Sequence, residues 1–126
     1  MHSVGTILCV ANTTFDLNHI SASFQGSGLN VLSAYTADQA VGIAARNHIR
    51  AIIVHERMLI DDAWSMARSL KMVSSAPIVV LYDKHTEDAL PNCVDLLLGN
   101  ASKCELLAVV TMLIARNAAP ETAKPV

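Results

Sequence analysis

The chain has 126 residues, of which 52% are hydrophobic and only 4% aromatic, and its formal net charge is −2. That length suits one domain around one core, and the aliphatic bias favours buried strands under helices over an aromatic-rich barrel. Charges of both signs are scattered, which argues against direct nucleic-acid binding, and the apolar runs are too short to cross a bilayer.

The first strand is the run Thr6-Ile7-Leu8-Cys9-Val10, whose lack of polar alternation predicts burial on both faces. A helix follows. Thr13 stands three residues before Asp16, an acidic variant of the capping-box spacing, and Leu17, Ile20 and Phe24 make an apolar stripe that Gly26-Ser27-Gly28 ends. The second strand is Asn30-Val31-Leu32-Ser33-Ala34. Thr36 with Gln39 opens a second helix running to about Arg46, with Ala37, Ala40, Val41 and Ala44 on its buried face.

Ala51-Ile52-Ile53-Val54 is a short, charge-free third strand that runs straight into the polar cluster His55-Glu56-Arg57. Asp61 or Asp62 caps a third helix holding Trp64, Ala67, Leu70 and Lys71, and Ser74-Ser75-Ala76-Pro77 breaks it before the fourth strand, Ile78-Val79-Val80-Leu81. The adjacent carboxylates Asp61 and Asp62 read as caps in preference to a metal site, and Trp64 is either core or an anchor for a partner. Between Tyr82 and Asn92 at most one or two helical turns fit, because apolar positions are few and Pro91 ends any helix after Leu90. A fifth strand, Val94-Asp95-Leu96-Leu97-Leu98, stops at Gly99. Ser102 with Glu105 then caps a last helix whose apolar residues include Leu106, Leu107, Val110, Leu113 and Ile114.

Five apolar strands alternating with helical segments predict an α/β fold: a three-layer, doubly wound parallel sheet with right-handed crossovers. We place the domain at 1–117 and a flexible tail or the start of a linker at 118–126. Cys9, Cys93 and Cys104 have no paired spacing and suit reduced thiols. With no charged and apolar leader in Met1-His2-Ser3-Val4-Gly5, we expect a cytoplasmic protein that does not enter the membrane.

In such a sheet ligands bind beyond the carboxyl ends of the strands where the strand order reverses, which singles out Ala11, Asn12 and His55. From Thr6 to Arg116 the chain resembles the receiver domain of two-component response regulators. Ala11-Asn12 stands where that family has an acidic pair, and His55 where it has the phospho-accepting Asp. Met58-Leu59 stands at its Met-Pro, Asp62 at its capping acid, Tyr82 at its switch Thr or Ser, and Gly99 at its Lys. The resemblance implies a flavodoxin-like fold with strand order 2-1-3-4-5. It also implies a fourth helix shortened by roughly one turn, about 3.6 residues, against the family norm.

The family's chemistry needs Mg²⁺, which seeks oxygen ligands, and an Asp to form the acyl phosphate. Ala11 offers no ligand, Asn12 only a neutral carbonyl, His55 no carboxylate and Gly99 no ammonium. Hence the expectation is a pseudo-receiver, not an enzyme and without a cofactor. It would work as a protein-interaction or regulatory module, as a monomer or weak homodimer, meeting a sensor kinase or an output domain. Two alternatives stay open: a phosphorelay component phosphorylated on His55, and a small-molecule or metal sensor with a cleft drawn from Asn12, His55, Glu56, Tyr82, Asp83 and His85. An ordinary reading of His55 makes it a partly exposed side chain bonded to Asn12 or Tyr82. Pairing it with Asp83 as a general acid and base would lack an electrophile or oxyanion donor.

Overall fold

The computed structural model describes residues 5–55, 63–82, 96–99 and 103–123. Five strands and four helices follow in the order β1 (Gly5–Val10), α1 (Thr14–Ala22), β2 (Leu29–Ala34), α2 (Ala37–Arg46), β3 (Ala51–His55), α3 (Ala63–Val73), β4 (Ile78–Tyr82), β5 (Leu96–Gly99) and α4 (Lys103–Ala123). The strands form one sheet in the order β2-β1-β3-β4-β5, every neighbouring pair parallel. Strand order therefore reverses between β1 and β3, as the resemblance implies.

Period-two alternation distributes the strand side chains to two faces. Leu8, Val10, Ile52, Val54, Ile78 and Val80 pack with Ala40 and Ala44 of α2 and Leu70 of α3. Ile7, Cys9, Ile53 and Val79 pack on the other face with Leu17, Ile20 and Phe24 from the α1 segment and Leu106 and Val110 of α4. Helices thus cover both faces, which is why β1 and β3 read as unbroken apolar runs. β2 lies at the sheet edge, and its Asn30 and Ser33 are exposed.

The caps at Thr13 and Thr36 form where the sequence places them; Ser102 lies outside the described residues. The Asp16 amide donates to Thr13 Oγ1 at 3.1 Å, and the Gln39 amide donates to Thr36 Oγ1 at 3.1 Å. The Gln39 side chain reaches one residue further back than a capping box requires, its Oε1 accepting from the Tyr35 amide at 2.8 Å. The turn after α1 uses Gly26 and Gly28 at φ 77 and 89, backbone angles that favour glycine. At the end of α3 the Lys71 ammonium donates to the Ala76 carbonyl at 3.0 Å, closing the breaker segment onto the helix.

Two expectations need comment. Helix α4 continues through Ala123, past residue 117, where we place the end of the domain; Ala118, Ala119 and Ala123 favour helix, against Pro120 within the same span. The shortened helix before β5, the caps at Asp61 and Asp62, and Cys93 lie outside the described residues, as does the side chain of Trp64.

Candidate functional site

The carboxyl ends of the central strands meet at one level. Val10 pairs with Val54, so Ala11 stands beside His55; His55 pairs with Leu81, and Tyr82 with Gly99. The backbone thereby gathers Ala11, His55, Tyr82 and Gly99, four of the five positions singled out by resemblance, along one edge of the sheet. Asn12, the fifth, is exposed just beyond. Ala11 is fully buried, and its amide donates to the Ala34 carbonyl at 3.2 Å, so β1 is tied to β2 at this point. Glu56, Asp83 and His85 lie outside the described residues.

His55 is not the partly exposed side chain of the sequence reading. It is only 5% exposed, with Asp16 of α1 against it: His55 Nε2 and Asp16 Oδ1 are 3.9 Å apart, and Asp16 is also 5% exposed. The separation is beyond a hydrogen bond and within reach of an ion pair. Local folding explains the meeting. His55 has the parity of Ala51 and Ile53 along β3, which turns it to the α1 and α4 face. Asp16 lies four residues before Ile20 and eight before Phe24, on the same buried stripe of the α1 segment.

Asp16 is therefore a site residue that the capping pattern hid. The helix-face arithmetic that selects Ile20 and Phe24 also selects Asp16, and that signal is present in the sequence. Its place in the first turn of α1 puts the carboxylate at the positive end of the helix dipole. Phe15, next to it, turns outward at 79% exposure and stacks on His19, with ring centroids 6.5 Å apart.

The donor set here is poor for a magnesium ion. Ala11 presents a methyl group, Asn12 one neutral oxygen and His55 a nitrogen ring, while Asp16 supplies a single carboxylate that already faces the imidazole. A hard cation of this kind takes oxygen ligands, usually one or two carboxylates with water and phosphate. The described residues do not fit it. Nor do any three His, Cys, Asp or Glu among the described residues come together as a metal group. Cys9, on the same face of β1, is chemically quiet: burial pushes its thiol from 9.0 up to about 12.

No protein-family model matches the sequence, and no curated protein matches it. Solved structures do. The N-terminal domain of a response regulator/sensory box/GGDEF three-domain protein from Carboxydothermus hydrogenoformans is 22% identical and superposes with a TM-score of 0.77, over 92% of this chain and 98% of that one. The fold is that of a receiver domain. A two-component response regulator from Clostridium difficile is 19% identical with a TM-score of 0.74, over 89% and 96% of the two chains. The receiver domain of a Pseudomonas aeruginosa sensor histidine kinase, solved with a magnesium ion coordinated in its active-site cleft, is 24% identical with a TM-score of 0.67, over 87% and 97%. Among the described residues no helix is long and apolar enough to cross a membrane.

Proposed function

We propose that this chain is a receiver-like module of two-component or phosphorelay signalling that works through protein contacts and accepts no phosphate on an aspartate. The fold shared with response-regulator receiver domains supports the signalling role. The observation that carries the finer reading is the pairing at the end of β3: His55 occupies the strand terminus, its Nε2 turned to Asp16, beside the methyl group of Ala11. The Pseudomonas domain coordinates magnesium in its cleft. In this chain the corresponding strand ends hold a ring nitrogen and a methyl group, and acyl phosphate formation lacks both its carboxylate and its cation.

The module acts without chemistry of its own, in the cytoplasm, as a monomer or weak dimer, and its partner is a sensor kinase or an output domain. Its net charge of −2 supports a protein partner in preference to nucleic acid. Phosphorylation of His55 is the weaker alternative. The ring is 5% exposed, and a phosphoryl group on Nε2 would be set against the Asp16 carboxylate, like charge against like.

Incubation with acetyl phosphate and Mg²⁺, followed by intact-mass measurement, tests the reading. The expected result is unmodified protein. A single phosphate adduct that is lost at alkaline pH, as an acyl phosphate is, would overturn it; an adduct lost in acid and absent from His55→Gln would establish the histidine alternative.

A further inference from the structure

One edge of the sheet is β2, and backbone hydrogen bonds fix which way its residues point. The Ala34 carbonyl accepts from the Ala11 amide at 3.2 Å, so Ala34 turns its peptide groups toward β1, as Leu32 and Asn30 do by period-two alternation. Thr6 of β1 turns the other way, its carbonyl accepting from the Arg50 amide at 2.8 Å on the β3 side. Leu29, Val31, Ser33 and Tyr35 therefore turn their peptide groups outward. The first and last of these amides are capped from within the chain: the Leu29 amide donates to Ser27 Oγ at 3.1 Å and the Tyr35 amide to Gln39 Oε1 at 2.8 Å. Between the caps, the amides and carbonyls of Val31 and Ser33 form an open stretch of ladder that no side chain among the described residues reaches.

We propose that the open edge of β2 pairs antiparallel with β2 of a second copy of this chain about a two-fold axis at Leu32, joining the two five-stranded sheets into one. The proposal deepens the reading of the chain as a module that works through protein contacts, and it rests on that reading for its role alone. In this register Val31 exchanges both its backbone hydrogen bonds with Ser33 of the second copy, and the axis repeats the exchange. Leu32 meets Leu32 at the centre, where opposed side chains of an antiparallel pair come closest.

Three observations point to an identical strand as the occupant. The caps are symmetric about Leu32: Leu29 and Tyr35 stand equally far on either side of it, so self-pairing sets capped residue against capped residue at both ends, and the ladder stops where the caps begin. The stretch Leu29-Asn30-Val31-Leu32-Ser33-Ala34-Tyr35-Thr36 holds no charge and no proline, and its register with β1 runs unbroken from Leu29 to Ala34, so neither repulsion nor a bulge guards it against its own copy. The side chains suit the same register. Leu32 is partly buried against the α2 layer beside Ala37 and Val41, and pairing it with itself extends that apolar layer across the axis. Tyr35, 43% exposed, falls opposite Leu29 of the second copy and is covered by it. The opposite edge strand, β5, has only four residues, Leu96–Gly99.

Sedimentation equilibrium of the full chain from about 10 μM to about 1 mM tests the pairing. A monomer–dimer equilibrium is expected. Ser33→Lys places a charge diagonally across the axis from its own copy, and the dissociation constant should rise at least about ten-fold, less so at high salt. Ser33 is exposed and its peptide groups point away from β1, so the variant keeps the fold. A chain that stays monomeric throughout overturns the proposal, whether its edge takes another protein's strand or none. A dimer that Ser33→Lys leaves unchanged uses a different surface and overturns it equally.

Should the variant fail to fold, wild-type protein is sufficient. Amide hydrogen exchange is followed by NMR at the two ends of the same concentration range. Protection of the Val31 and Ser33 amides should grow with concentration, while the Leu29 and Tyr35 amides, already bonded to Ser27 and Gln39, should not change. Equal exchange of Val31 and Ser33 at both concentrations overturns the pairing. The two readings fail separately: a phosphate adduct sinks the reading of the site, whereas concentration-independent exchange at Val31 and Ser33 sinks the strand pairing alone.

Discussion

The two faces of the sheet are built to different rules. Against α2 and α3 the buried layer is wholly apolar, from Leu8, Val10, Ile52 and Val54 through Ile78 and Val80 to Leu70, with Ala40 and Ala44 permitting close approach. Against α1 and α4 the layer holds Cys9 and opens at the strand ends onto Asp16 and His55, with Ser23 at the far end of α1. One face is a scaffold whose stability comes from packing. The other carries the buried polar groups, and a close-packed opposite face gives them a rigid support.

The sharpest way to break this contrast is chemical. With its thiol at about 12 instead of 9.0, Cys9 holds about a thousandth of the ordinary thiolate fraction near neutral pH, whereas Cys104 is exposed. Iodoacetamide followed by peptide mapping should modify Cys104 promptly and spare Cys9 until the protein is unfolded; equal labelling in the native state would mean that the α1 and α4 face is open. On the scaffold face, Leu70→Ala should lower stability by about 3 kcal/mol, since Leu70 is fully buried. A loss below about 1 kcal/mol in urea titrations would mean that this face is not the close-packed scaffold.

Smaller effects refine the picture. Thr13→Ala removes the hydroxyl that accepts from the Asp16 amide and should cost about 1 kcal/mol, with greater loss of protection from hydrogen exchange in α1 than in α2. Phe15→Ala should change folding stability by less than about 0.5 kcal/mol because the ring is exposed, and a large loss would show that it packs on something.

Much of this was legible in the residues. Unbroken apolar runs gave away the central strands, and the Thr13 and Thr36 caps start their helices where the spacing says. Leu17, Ile20, Phe24, Ala40 and Ala44 are all buried as their periodicity requires. The site was harder to read. Asp16 satisfies a capping pattern, and a residue with one sufficient local explanation conceals a second, tertiary one. His55 opens a polar cluster and so reads as exposed, yet it is buried with Asp16 of α1 beside it, an approach between residues 39 positions apart that no local pattern encodes. Helix α4 runs past the expected boundary: Ala118 and Ala119 read as linker composition beside Pro120, while alanine is also a strong helix former.

The most direct test of the central claim, that these strand ends are unsuited to the cation on which aspartyl phosphorylation depends, is a magnesium titration followed by the backbone amides of Ala11, Asn12, Asp16 and His55. The account predicts no saturable shift at any of them through millimolar Mg²⁺. A saturable shift centred on Asn12 and Asp16, abolished in Asp16→Asn, would contradict it.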